Sequence, residues 1–595
     1  MNDASGSTSW TYDSRDRVKT KATPQGTLTY TYHANGLVAS VVSSNANGVN
    51  IGYAYDTLNR LQSVTDNRLA PNGTTTYTWD DVGNPLTMTY PNGVVHTFGT
   101  DVMERISSVA VTKSGTTLSS QNYTFGFAGN KLTEINNNGR SVSWAYDASY
   151  RLTTETVTGD PMPALNGVIG YGLDAVGNRL SRTSTIAAIP ATANTYDVND
   201  RISGDTFDAN GNTLTSGGHT YGYDFLDRLT SYDGAALTMV HDGYGNRVSK
   251  TVGGVTTKYL VDELTPTGYS QVAEELVGGS VARRYAHGAF RHSQTQLISG
   301  AWTTHYYGYD GGLHVTRLTD STGAVSDTYT YDAYGNLTAA SGSTPNVYLY
   351  RGEQYDSSVQ MYYLRARWYA PGNGRFFTSD PIERAVGDQR SRTHYSYCEA
   401  DPVNHEDPSG LDSALARALR SLELRVARFG AEVTSKWAVR PLACVAAKAA
   451  LLGAVAAIVR HETPFISGYD AQFFNIAVAD AAEAIGSATV NGPLPRAIVV
   501  YIARSVSPAT EASIRVALNT LAIPGRVLVD VTRDMHAEVR AFNMVKGQGH
   551  MVGGLVTLYR LCPGCARLFA YTGDVIIRGT GHCIVEAPVP TIPAP

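Results

Sequence analysis

Cysteine is scarce: there are five in 595 residues, Cys398, Cys444, Cys562, Cys565 and Cys583. An odd, scattered set excludes a disulfide framework. No basic, apolar leader is visible, because the first residues are polar. Long apolar runs are also missing. Ala443–Val459 is the most apolar stretch, but Lys448 interrupts it and its length only just matches a bilayer span, so stable membrane insertion is not expected. Charge is modest and uneven. The chain holds 47 Lys+Arg and 52 Asp+Glu, net −5; residues 412–595 hold 18 and 13, net +5, which leaves −10 for the rest. An acidic body with a basic tail is compatible with a polyanionic target. A chain this long exceeds one hydrophobic core, so several domains are expected.

What the sequence has in quantity is tyrosine, 37 residues, arranged in a repeat. The unit is aromatic-x-aromatic-Asp followed by a turn. Copies are Trp10-Thr-Tyr12-Asp13, Tyr53-Ala-Tyr55-Asp56, Tyr77-Thr-Trp79-Asp80, Trp144-Ala-Tyr146-Asp147, Tyr221-Gly-Tyr223-Asp224 and Tyr329-Thr-Tyr331-Asp332. The turns carry Gly83-Asn84, Gly177-Asn178, Gly211-Asn212, Gly245-Asn246 and Gly335-Asn336, or an Asx-Arg variant; Tyr171, Tyr196 and Phe207 mark degenerate copies. Alternating Tyr, Thr and Val predict strands with the aromatics on one face. Asx and Gly supply left-handed turn positions. Such hairpins stack side by side, and the tyrosines are expected to be core.

These units resemble the YD repeats of the RHS family, the rearrangement hotspot proteins. The resemblance tightens at Tyr348-Leu-Tyr350-Arg351-Gly352-Glu353-Gln354-Tyr355-Asp356 and Tyr362-Tyr363-Leu364-Arg365-Ala366-Arg367-Trp368-Tyr369. It continues through Gly374-Arg375-Phe376-Phe377-Thr378-Ser379-Asp380-Pro381 and Asp401-Pro402-Val403-Asn404-His405-Glu406-Asp407-Pro408-Ser409-Gly410-Leu411, which are similar to the RHS core-associated domain. The resemblance implies an all-β YD-repeat spiral shell over residues 1–411, with repeats at 1–340 and an autoproteolytic core-associated domain at 341–411. It further implies that the shell encapsulates a C-terminal toxin and severs it by aspartyl-type autoproteolysis, with Asp380 and Asp407 as the carboxylates, Arg375 as a charge partner and the cut after Leu411.

After Leu411 the repeat stops. Leu415, Leu419, Leu422, Val426 and Phe429 recur at helical spacing, so 412–488 reads as a helical linker region. From residue 489 to 595 strand-like and helical segments alternate, which predicts an α/β domain with a mixed sheet. Strands are expected at Ala497–Ile502, Val527–Val531, Leu555–Tyr559 and Asp574–Ile577, and helices at His536–Val545 and from Cys562 to Phe569. His536-Ala537-Glu538 and Cys562-Pro563-Gly564-Cys565 begin those two helices. One imidazole and two thiolates are the ligand set of a catalytic Zn2+ whose fourth position stays open for water. Helix N-termini favour thiolate over thiol. This pattern resembles the cytidine deaminase-like superfamily, whose signature is H-x-E with P-C-x-x-C. The resemblance implies that His536, Cys562 and Cys565 hold zinc and that Glu538 shuttles a proton. Leu561 stands where the family often has proline, which here falls at Pro563.

The expected whole is therefore a secreted, delivered toxin that deaminates a nucleobase, cytosine in DNA being favoured over RNA or free nucleotide. A cognate immunity protein, secretion-system components and action in the target cell's cytoplasm go with it. Arg533, Arg540, Lys546, Arg560, Arg567 and Arg578 are candidate phosphate contacts, and Tyr559 and Phe569 could stack a base. Two other readings stay open. One is an adhesion protein with a structural zinc module, closed by Cys583, His582 or His550 as fourth ligand. The other is a toxin of different chemistry, with the helices at 412–460 forming pores or aiding translocation.

Overall fold

A computed structural model describes residues 1–380 and 393–411, and beyond them the backbone of five short strands. The chain divides into two compact units, Met1–Glu383 with Gln389–Ser413, and Arg384–Asp388 with Ala414–Pro595.

One repeat shows why the first unit is all strand. Asn50–Tyr55 pairs antiparallel with Leu61–Asp66, and the register shifts between Ala54 and Tyr55, where the turn begins. Asp56 organises that turn. Its Oδ1 accepts the N–H groups of Leu58 and Arg60, both at 2.9 Å, and its Oδ2 accepts Arg60 Nε at 2.7 Å. Asn59 takes the left-handed position, φ 61°, as Asx residues do at little cost. The Gly-Asn variant performs the same closure. Asp80 Oδ1 accepts three successive N–H groups, Asn84 Nδ2 donates to Oδ2 at 2.9 Å, and Gly83 has φ 99°. Arginine in the clamp also reaches onward: Arg60 Nη1 donates to Asp80 O at 2.6 Å, Arg151 Nη1 to Asp174 O at 2.8 Å and Arg228 Nη1 to Asp242 O at 2.9 Å. The turns are thereby tied in a row.

The repeats make two large antiparallel sheets. One has 17 strands, from Ser9–Tyr12 to Thr192–Ala193, and closes as a barrel; the other has 14 strands, from Thr206–Phe207 to Leu337–Ser341. The break between them falls at the degenerate copy around Tyr196, which keeps only an isolated bridge to Ile202. The two sheets share one core, with Val41, Ile51, Val64, Met88 and Val109 of the first against Leu260, Leu276 and Ala286 of the second. Tyrosines unite burial with a hydrogen bond: Tyr30 donates to Asp262 at 2.9 Å and Tyr90 to Tyr307 O at 2.8 Å, each across the inter-sheet core. The expectation that tyrosine packs the core holds at Tyr307, Tyr350, Tyr362 and Tyr369, all fully buried.

A third sheet follows, four antiparallel strands at Gln354–Asp356, Met361–Leu364, Arg367–Ala370 and Arg375–Phe376. Its tyrosines Tyr362 and Tyr369 join Tyr307, Tyr309 and Leu318 of the second sheet in a common cluster. Cys398 lies in the same cluster.

In the second unit Val499–Ile502 pairs in parallel with Leu528–Val531, and Cys583–Glu586 pairs antiparallel with both Leu555–Val556 and Ile576–Gly579. Both pairing senses occur, as a mixed sheet requires, but among the described residues they form two separate sheets. The strand at Cys583–Glu586 was not anticipated. The linker at 412–488 and the helices expected at 536–545 and 562–569 lie outside the described residues, as do Cys444, His550 and His582. Among the described residues no helix is long and apolar enough to cross a membrane.

Candidate active site

The third sheet creates a docking place for residues 407–411. A tight turn, with Arg365 at φ 64°, joins Met361–Leu364 to Arg367–Ala370. Along it, Ala366 N–H donates to Ser409 O at 3.1 Å, Arg365 Nη1 donates to Pro408 O, and Arg367 Nε donates to Gly410 O. The fit requires glycine at 410. Its φ is 70°, and a Cβ there would fall against the Leu364 carbonyl oxygen and within 2.7 Å of Arg367 N.

Asp380 and Asp407 are both buried, and one guanidinium nitrogen serves both. Arg367 Nη2 is 3.0 Å from Asp380 Oδ2 and 3.7 Å from Asp407 Oδ2. The same guanidinium lies over the Phe376 ring, 3.7 Å from its centre. Asp380 is fixed from behind by its N–H, which donates to His394 O at 2.9 Å. Two buried carboxyls thus lie within reach of one guanidinium.

Asp407 is also in contact with the expected cut. Leu411 N–H donates to Asp407 Oδ1 at 3.1 Å, and Ser409 Oγ is 2.9 Å from the same oxygen. Ser409 Oγ further lies 3.2 Å from Leu411 O.

Arg375, expected from the sequence as the charge partner, is placed elsewhere. Its Nη2 donates to Asp200 O at 2.6 Å, and its guanidinium lies over the rings of Tyr196 and Tyr395. The arginine between the carboxylates is Arg367. It stands in the Tyr362–Tyr369 string already singled out, but nothing in that string distinguishes Arg365 from Arg367. Only the hairpin pairing decides which side chain turns towards the aspartates. Ser409 was likewise missed, since one serine in a Pro-Ser-Gly turn carries no signal of its own.

His536, Glu538, Cys562 and Cys565 lie outside the described residues. Cys583 begins a strand. No group of three metal-binding side chains occurs among the described residues.

A second charged cluster lines a cavity of about 340 Å³ formed by Glu134, Glu155, Asp310, Lys131, Arg140 and His314 among others. Burial, then the neighbouring Asp332, raises Glu155 from its ordinary 4.5 to about 8. Burial, then Asp310, raises Glu134 to about 7. Burial holds His314 down at about 4.

Known proteins share parts of this chain's sequence and fold. The Teneurin YD-shell family model matches residues 1–156. The tRNA nuclease WapA of Bacillus subtilis (strain 168) is 32% identical over 257 residues, which is 41% of this chain and 11% of that protein. The tRNA3(Ser)-specific nuclease WapA of Bacillus spizizenii is 32% identical over the same shares. The chain thus spans about a tenth of the length of the curated relatives it matches. Among solved structures, the crystal structure of TcdB2-TccC3-TEV superimposes with a TM-score of 0.58 at 17% identity, over 69% of this chain and 24% of that one. That likeness is one of fold.

Proposed function

We propose that this chain, built on a YD-repeat shell, is a delivered toxin of RHS type that cuts itself after Leu411 with Asp380 and Asp407 and so frees a C-terminal nucleobase deaminase. The observation that supports the cut is the contact of Asp407, which shares Arg367 with Asp380, with the backbone of Leu411. In this reading Asp380 is the base towards water and Asp407, which touches Leu411, is the acid. The domain limits follow the same reading, with repeats at 1–340, the self-cutting domain at 341–411, a linker at 412–488 and the toxin at 489–595.

For the toxin, the donor chemistry of His536, Cys562 and Cys565 suits zinc with one position open. When bound, that metal lowers the pKa of a water towards ~7. Glu538 would take the proton of that water and deliver it to the base and its departing ammonia. Cytosine in DNA is the favoured substrate, and a cognate immunity protein and delivery components are the expected partners. The relatives named as tRNA nucleases favour a second reading, in which the C-terminal unit cleaves RNA.

Sequencing the genomes of uracil-repair-deficient bacteria that express the full chain separates these readings. C-to-T changes that vanish in Glu538→Ala support the DNA cytosine deaminase. A-to-G changes keep the chemistry and change the base. An unmutated genome with cut transfer RNA, unaffected by Glu538→Ala, replaces deamination with RNA cleavage.

A further inference from the structure

We propose that the Ser409 hydroxyl relays the proton of Asp407 to the carbonyl oxygen of Leu411 as the chain cuts itself, an inference that rests on the self-cleavage proposed above. Asp407 Oδ1 meets Leu411 at its N–H, 3.1 Å away. Ser409 Oγ stands within hydrogen-bond distance of both ends of the transfer, 2.9 Å from Asp407 Oδ1 and 3.2 Å from Leu411 O. A hydroxyl has one proton to give and lone pairs to accept another. While Asp407 is ionised, the Ser409 proton belongs on Asp407 Oδ1. Once Oδ1 carries a proton, that proton points at Ser409 Oγ, and the serine's own proton is free to turn to Leu411 O. The direction of the relay is therefore set by the protonation state of Asp407.

The anchors keep the relay in line. The Ser409 carbonyl is tied to Ala366 N–H at 3.1 Å, and Gly410 O to Arg367 Nε. Leu411 N–H lies 3.1 Å from Ser409 Oγ as well as from Asp407 Oδ1, which holds the Gly410–Leu411 peptide beside the hydroxyl. Backbone contacts hold residues 408–410 without the Ser409 side chain, whose hydroxyl touches Asp407 and Leu411.

The step balances. Water adds to the Leu411 carbonyl carbon and gives one proton to Asp380. The carbonyl π pair moves to Leu411 O, which takes the Ser409 proton while Ser409 takes that of Asp407. The resulting gem-diol collapses. The bond to the Asp412 nitrogen breaks, that nitrogen takes the proton from Asp380, and one diol proton returns through Ser409 to Asp407. One water is consumed, and a carboxyl and an amine are formed.

The test is the rate of cutting of the full 595-residue chain during pulse-labelled cell-free translation in H2O and in D2O. Proton donation by a positioned group is worth ~10²–10⁴-fold, and a water can replace part of a lost relay. Ser409→Ala is expected to slow cutting about ten- to a hundredfold and to shrink the solvent isotope effect, because fewer protons then move together. Ser409→Thr, which keeps the hydroxyl, is expected to restore both. Cutting of Ser409→Ala at wild-type speed overturns the relay, and so does a Ser409→Thr chain as slow as Ser409→Ala. A wild-type chain that stays whole, or an Asp407→Asn chain that cuts at wild-type speed, overturns the self-cleavage reading itself, so the two failures are distinguishable.

Discussion

Glu155→Gln should flatten the pH dependence of stability of the first unit. Glu155 is buried, and its Oε2 accepts Ala333 N–H at 2.8 Å. A glutamine oxygen can accept the same bond, so the substitution removes a titration and little else. Burial raises its neighbour Asp332 as well, but the repeat's own turn works against that rise, since Asp332 accepts Tyr334 N–H at 3.0 Å, Asn336 N–H at 2.8 Å and Asn336 Nδ2 at 2.7 Å, and its charge in turn raises Glu155. Glu155 is therefore the member of the pair that keeps a proton. Its value rises from 4.5 to about 8 on folding, so the folded chain holds a proton that the unfolded chain gives up. Stability from this group is complete below pH ~4.5 and is lost as pH rises, until the folded group also ionises near 8. Each tenfold gain in proton affinity on folding is worth about 1.4 kcal/mol. The wild type should thus lose about 1 kcal/mol per pH unit relative to the variant between pH ~5 and ~8, a few kcal/mol in all. The buried histidines act in the opposite sense, since His96 and His292 are pushed down to about 3 and cost stability as pH falls below ~6.5. They are common to both proteins and cancel in the difference. Urea unfolding followed by tryptophan fluorescence at several pH values gives that difference directly. Two curves that stay parallel from pH 5 to 8 would refute the reasoning.

Two further outcomes follow from geometry. Gly410→Ala should cut at least tenfold more slowly, because the left-handed backbone costs a non-glycine residue about 1–2 kcal/mol and the new methyl meets the Leu364 carbonyl; gel analysis of the expressed chain reads this, and normal cutting would show that the 407–411 dock is dispensable. Arg60→Ala and Arg247→Ala should differ sharply in the same unfolding assay. Arg60 is a partly exposed turn clamp and should cost no more than ~1 kcal/mol, whereas Arg247 is buried among Tyr259, Tyr363 and Trp368 beside Asp356 and should cost about 3–5 kcal/mol; equal losses would contradict the burial argument.

The repeats were legible because their physics is local. Asp56, Asn59 and Arg60 close a turn within five residues, and Tyr53 and Tyr55 share a face by alternation. That Asp380 and Asp407 meet at one arginine was foreshadowed only by the resemblance of their Asp-Pro strings, since Asp-Pro alone reads as a turn. The choice of Arg367 over Arg375 was not legible. It depends on the pairing Leu364↔Arg367, which turns one arginine towards the aspartates while Arg375 settles among Tyr196, Tyr395 and the Asp200 carbonyl. Ser409 escaped because its partners are the peptide groups of Leu411, and sequence shows no peptide geometry. The break between the two large sheets was hidden too. Tyr196 and Phe207 looked like two weak repeats, and only pairing shows that the first falls between the two sheets and the second opens the later one.

The site around Arg367 also makes the proposed cut a one-way event. Before it, Asp380 and Asp407 flank Arg367. Afterwards Leu411 ends in a new carboxyl beside Asp407, whose Oδ1 already accepts the Leu411 N–H. Gly410 and Pro408 stay fastened by their carbonyls to Arg367 and Arg365, so the new end is held where it was made. Two like charges set side by side repel once both are ionised. Hydrolysis thus replaces a neutral peptide with a charge its neighbour disfavours, which opposes remaking the bond.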